Sequence, residues 1–109
     1  MNHYGNLFGG HLLKWVDEYA YIAAISNCPG NNLVTIGMDE VHFLRPSYQG
    51  DILKFVIKQV KIGKSVKYHV KVFSRNFKRN EERLTFQTNI TFVNIDQDGI
   101  KMKIERESD

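Results

Sequence analysis

From His11 to about Ser26, apolar residues return every three or four positions. Leu12, Val16, Tyr19/Ala20 and Ala23 form one stripe, with Leu13 and Ala24 beside it, the spacing of a helix that buries one face. Cys28-Pro29-Gly30-Asn31-Asn32 predicts its end, because proline cannot continue a helix and Gly/Asn favour a turn. Beyond that point the period changes to two. Leu33 to Leu44 is β-rich and closes on Arg45-Pro46-Ser47, with a turn at Gln49-Gly50-Asp51. Ile52 to Ile62 sets Lys54, Val56, Lys58 and Val60 on one parity and Leu53, Phe55 and Ile57 on the other. Gly63-Lys64 reads as a hairpin turn, after which Val66, Tyr68, Val70 and Val72 alternate with Lys67, His69 and Lys71. A charged loop, Phe77 to Glu82, leads to a strand through Leu84, Phe86, Thr88, Ile90 and Phe92, and Asp96-Gln97-Asp98-Gly99 marks another hairpin.

One helix followed by antiparallel-compatible strands predicts a single α+β domain over residues 1–109, its sheet wrapping or flanking the helix to cover the apolar stripe. The tail from about Lys101 is so charged that it is expected to fray. A sheet this size leaves open edges, which makes edge-to-edge self-association plausible.

Composition adds exclusions. At 109 residues a lone core is limited, and burying further surface in an oligomer would help it. Hydrophobic residues at 42% and charged residues at 25% are ordinary for a soluble globular chain. The apolar stretch from Tyr19 to Ile25 is too short to cross a bilayer, and no secretory signal opens the chain, so a cytoplasmic location is the default expectation. Cys28 is the only cysteine, which excludes an internal disulfide and a thiolate metal cluster. His3, His11, His42 and His69 lack metal-ligand spacing, and there is no Gly-x-Ser-x-Gly elbow; neither a metal nor a separate cofactor is expected. The net charge of +3 comes from lysines spread along strands: Lys54, Lys58, Lys61, Lys64, Lys67 and Lys71. Such alternation marks a solvated sheet face, of which some lysines could hold an anion; a polyphosphate suits them as well as a nucleic acid. Aromatics do not interleave with these lysines in a stacking pattern, which leaves single-strand nucleic-acid binding a distant reading.

Taken alone, Gly9-Gly10 is a turn entering a helix and Asp17 is a solvated charge. Their surroundings change that. The segment Asn2-His3-Tyr4-Gly5-Asn6-Leu7-Phe8-Gly9-Gly10, followed by a helix with Asp17, strongly resembles the opening of the bacterial YciA-like and mammalian cytosolic acyl-CoA thioesterases. Further matches follow in register: Val34-Thr35-Ile36 with Met38, Phe43-Leu44-Arg45-Pro46, Gly50-Asp51, Ile62-Gly63-Lys64-Ser65, and Thr91-Phe92-Val93 up to Asp96. The resemblance covers nearly the whole chain. It implies the hot-dog fold, a long helix wrapped by an antiparallel sheet, with two sheets joined in a dimer and often assembled further to a trimer of dimers. Such relatives carry a first strand before the segment matching Asn2; on that pattern the first strand is missing here.

The resemblance also implies an acyl-CoA hydrolase site. Gly9 and Gly10, read as the helix start, would offer an unpaired backbone N–H to the thioester carbonyl. Asp17 would serve as general base or nucleophile, improved by partial desolvation, which raises a carboxylate's pKa. Asn6 would orient water or bind the carbonyl. Gly63, Lys64 and Ser65 would meet the coenzyme phosphates, Arg45 would add an anion contact, and Phe8, Trp15 and Phe43 are candidate walls for the acyl chain. Asp17 lies seven residues beyond Gly10, roughly 10 Å along a helix. One chain can therefore hardly aim both at one carbonyl, which predicts a composite site: Asn6 and Gly10 from one subunit, Asp17 from its partner. Two alternatives stay open, a non-catalytic acyl-CoA-binding module and a hot-dog dehydratase, for which His11 after the glycines would be the base.

Overall fold

A computed structural model of the chain describes residues 3–78 and 80–105, with side chains from Gly9 onward. Pro29 and the turn glycines cut the chain where the pattern predicts. Helix α1 spans His3–Asn27, and four long strands follow: β1 (Leu33–Phe43), β2 (Ile52–Ile62), β3 (Ser65–Asn76) and β4 (Glu81–Ile95). A short fifth, β5 (Lys101–Met102), closes the order. The sheet is antiparallel in the order β1-β4-β3-β2, with β5 added to β4. Gly30, Gly50 and Gly99 take positive φ at the helix stop and two turns, a conformation that glycine adopts without a Cβ penalty.

The inner face of the sheet carries the core. Val66, Tyr68, Val70 and Val72 of β3 and Phe86, Ile90 and Phe92 of β4 are fully buried against Leu12, Val16, Ala20 and Ala24 of α1. The buried stripe therefore runs at strict i, i+4 spacing. Tyr19, placed within the stripe on sequence, is instead 43% exposed and meets Phe55 edge-on at 4.9 Å. Small residues in the second half of the stripe let the helix lie close to the sheet. At its end Asn27 Nδ2 donates to Tyr68 Oη at 3.0 Å, and that hydroxyl donates to Gln59 Oε1 at 3.3 Å. Burial pushes the Tyr68 phenol up; the Asn27 hydrogen bond lowers it and neighbouring Cys28 raises it.

The outer face is polar, as the alternation predicts. One cross-strand row reads Lys58, His69, Asn89 and Asp39, and the next reads Lys61, Lys67, Thr91 and Gly37. Among the described residues, no helix is long and apolar enough to cross a membrane.

Three expectations need correction. The helix begins at His3 rather than at His11, because nothing before Pro29 forbids it: glycine costs a helix only about 1 kcal/mol and does not end it. The charged loop is shorter, since Glu81 and Glu82 already belong to β4. The tail does not fray up to Glu105. Ile104 is buried in the core, and Asn31 works as a two-sided clamp on the backbone beside it. Its Nδ2 donates to Glu105 O at 2.7 Å and its Oδ1 accepts from Glu105 N and from Asn94 Nδ2, each at 2.9 Å. One buried isoleucine outweighs the exposed charges around it.

Asn31→Ala removes that clamp. It is expected to lower stability by about 1–3 kcal/mol in urea unfolding and to open the backbone after Gly99 to limited proteolysis, read by mass spectrometry.

Candidate active site

Asp17 sits half-buried on the flank of α1 that faces edge strand β1. Thr35 Oγ1 donates to Asp17 Oδ1 at 2.7 Å. Thr35 is opposite Phe92 in the sheet, so its side chain points to the helix side and its hydroxyl fixes the carboxylate's orientation. Oδ2 makes no hydrogen bond or ion pair among the described residues, leaving it available to a water or a substrate. Glu18, one residue on, is exposed, as a 100° step around a helix requires.

The glycine pair lies differently from expectation. In a helix that starts at His3, Gly9 and Gly10 occupy the interior, so the N–H of Gly10 is no longer a free helix-terminal donor. Gly9 is buried, and a Cβ there would touch Cε1 and Cζ of Phe43 at 3.5 Å. Gly10 is exposed, with no atom within 4 Å of where a Cβ would stand. What it offers is bare helix surface, about one turn beyond Asn6. Asn6 and Phe8 fall in α1, and their side chains lie outside the described residues.

Of the aromatics, Phe43 is 56% exposed and packs on Phe86 at 4.9 Å, so it is a surface wall near Gly9 rather than core. Trp15 is half-buried against the core and stacks on exposed His11 at 5.9 Å. Arg45 Nη1 donates to Leu84 O at 3.3 Å, which ties its loop to β4.

Gly63, Lys64 and Ser65 form the β2–β3 turn, with Gly63 N donating to Ser65 O at 2.9 Å. The turn lies at the Asn27 end of the helix, far from Gly10. Gly63 and Lys64 line an open groove of about 620 Å³ together with Lys101, Met102 and Lys103. The last three were missed on sequence because a charged terminal stretch gives no pattern; the signal was Ile104, the one apolar residue after Met102.

Apolar side chains remain exposed on the helix and on β1. Ile22 and Ile25 on the helix and Ile36, Val41 and Phe43 on β1 are 37–56% exposed. Strand β1 is irregular here: its pairing shifts register between Thr35 and Gly37 and again between Asp39 and His42, with Glu40 at φ 52°.

The description of the family model that matches residues 4–77 is "thioesterase superfamily". The chain is 32% identical over 106 residues to the uncharacterised acyl-CoA thioester hydrolase YkhA of Bacillus subtilis, covering 96% of this chain and 61% of that protein. It therefore spans less than two thirds of that relative's length. An acyl-CoA hydrolase from Staphylococcus aureus, crystallised with butyryl-coenzyme A, coenzyme A and coenzyme A disulfide, superposes with a TM-score of 0.76 at 31% identity, over 100% of this chain and 68% of that one. The hexameric hot-dog-fold thioesterase of Campylobacter jejuni superposes at 0.80 with 32% identity, over 95% of this chain and 80% of that one.

The open surface at Gly10 makes a separable prediction. Gly10→Ala is expected to raise the melting temperature, since alanine favours the helix by about 1 kcal/mol, while a ligand that must lie against the bare backbone binds more weakly. Differential scanning calorimetry and ligand titration on the same variant check both halves.

Proposed function

Because the chain belongs to the thioesterase superfamily and has its hot-dog fold, we propose that it hydrolyses acyl-CoA thioesters to a carboxylic acid and coenzyme A. The observation that carries this reading is the half-buried Asp17 carboxylate, oriented by Thr35 and open at Oδ2. In the proposed reaction Asp17 takes a proton from water as the water oxygen bonds to the thioester carbonyl carbon. The carbon–sulfur bond breaks, the coenzyme leaves as thiolate, and the proton passes to sulfur. The amide of Asn6 binds the carbonyl oxygen, and the bare helix surface at Gly10 admits the thioester. Phe8, Phe43 and Trp15 wall the acyl chain. Gly63, Lys64 and Ser65 meet the phosphates, and Arg45, with its guanidinium on Leu84 O, is at most a peripheral anion contact.

The site is composite. Gly10 and Asp17 are separated by about 10 Å along a continuous helix, so Asn6 and Gly10 of one protomer serve with Asp17 of another. The exposed apolar residues of the helix and of edge strand β1 support self-association, because a second copy could cover them. Hexameric relatives support a trimer of dimers as the assembly.

Incubation with an acyl-CoA panel and a thiol-trapping dye is expected to release free thiol; acyl-CoA that raises the melting temperature without releasing thiol would reduce the chain to a binding module. Asp17→Asn is expected to lower kcat by at least about a hundredfold with the fold intact by circular dichroism.

Mixing tests the shared site. Asp17→Ala and Asn6→Ala chains, each inactive, are expected to regain activity when unfolded and refolded together, because mixed dimers keep one intact site. No recovery would place all the groups in one chain.

A further inference from the structure

We infer that the outer face of strands β2 and β3 docks the protein on an anionic lipid surface, through Lys58, Lys61, Lys67 and Lys71. The inference goes beyond the thioesterase reading, since none of these side chains has a part in the proposed reaction.

Charge is divided unevenly along the chain. Residues 52–80 hold nine of its fifteen lysines and arginines and no acidic residue, so the remainder is net acidic. Antiparallel pairing gathers much of this charge on one face. Val56 stands opposite Lys71, Lys58 opposite His69 and Lys61 opposite Lys67, and directly opposed residues point to the same side of a sheet. On β3 that side faces away from the helix, because the alternate residues Val66, Tyr68, Val70 and Val72 fill the core. Four ammonium groups thus lie within about 13 Å along two neighbouring strands. None of the four meets a carboxylate among the described residues; Lys54, at the rim, does, through Glu82 at 2.8 Å. Asp39 shares the row of Lys58 but stands three strands away, across His69 and Asn89. A molecule so divided turns its cationic face toward a negative surface as it approaches.

The kind of anion follows from what surrounds the lysines. Val56 and Val60 on β2 are 42% and 52% exposed, and the lysine stems add aliphatic surface beneath the charged heads. A headgroup layer takes both, the ammonium groups at its phosphates and the aliphatic groups at its edge. Nucleic acid is served by free aromatic faces, and the two rings here are engaged. Phe73 lies under Lys54 Nζ, 5.2 Å from the ring centre, and His69 Nδ1 is 2.7 Å from Asn89 Oδ1. All four cations are lysines, which act as point charges on flexible stems and suit a diffuse anionic layer; arginine suits a phosphate held in fixed geometry. A second copy of the same face would be repelled by the first. Acyl chains partition into bilayers, so docking would hold the proposed site near a source of its substrate.

The test is sedimentation of the full chain with phosphatidylcholine vesicles, with and without phosphatidylserine, in low and high salt. Binding is expected only with phosphatidylserine, and is expected to be lost in high salt. Lys58→Glu/Lys71→Glu, in the two rows farther from the Gly63-Lys64 turn, is expected to cut the partition coefficient by at least about tenfold with the circular dichroism unchanged. The milder Lys58→Gln/Lys71→Gln is expected to act in the same direction, and Lys58→Arg/Lys71→Arg to keep full binding. No binding to the phosphatidylserine vesicles, equal binding to pure phosphatidylcholine, or indifference to the charge reversal would overturn the docking face. So would tighter binding to a single-stranded oligonucleotide at the same salt, which would assign the lysines to nucleic acid. Thiol release from a short-chain acyl-CoA without vesicles is expected to match between wild type and the reversal variant. A raised KM there would place the lysines at the coenzyme and sink the proposal. Vesicle binding needs no turnover, so a protein that docks and hydrolyses nothing would keep this face while the thioesterase reading fell.

Discussion

Burial of the α1 stripe against the inner face of β3 and β4 is the contact on which the rest of the molecule depends. The chain has one helix among its described elements, and the sheet has no other layer on its apolar face. Leu12, Val16, Ala20 and Ala24 meet seven fully buried side chains of the two central strands, and Cys28, Leu33 and Ile104 complete the buried cluster. The alanines matter as much as the larger residues, because they set how closely the helix lies and hence where its flank meets β1. That flank carries Asp17.

The same arrangement keeps the Asp17 carboxylate and the bare helix surface at Gly10 apart. A straight helix laid across a sheet can present a carboxylate at mid-length and bare backbone near its start, but cannot turn both toward one atom. It also leaves the β1 side of the helix without cover, since β1 is an edge strand whose residues beyond Val34 are almost all exposed apart from Met38. Apolar exposure on β1 thus falls beside the helix flank that carries Asp17.

At the opposite end of the sheet, polar side chains do the work that packing does elsewhere. Asn31 and Asn94 are not spare loop residues; each satisfies backbone groups of the turn at the helix stop or of the segment after β5. Through them the final described residues become a strand and a wall. The cationic groove is the consequence of β4 running past β3 and needing a partner for its last residues.

Much of this was legible before any coordinates. Period-two alternation in Ile52–Ile62 and in Val66–Val72 placed the right residues inside, and Pro29 with the turn glycines marked the boundaries, because both signals are local. The run from Asn6 to Gly10, Asp17 and Gly63-Lys64-Ser65 pointed to the family through ordered matches that no single motif could carry. Other features depend on contacts between residues distant in sequence. The helix start moved to His3, since no proline interrupts the segment and three glycines weaken a helix without ending it. Thr35 became the partner of Asp17 only through the pairing of β1 with β4, and the tail became structure only because Asn31, over seventy residues away, holds it. Local pattern determined which residues are inside; long-range pairing decided which of them meet.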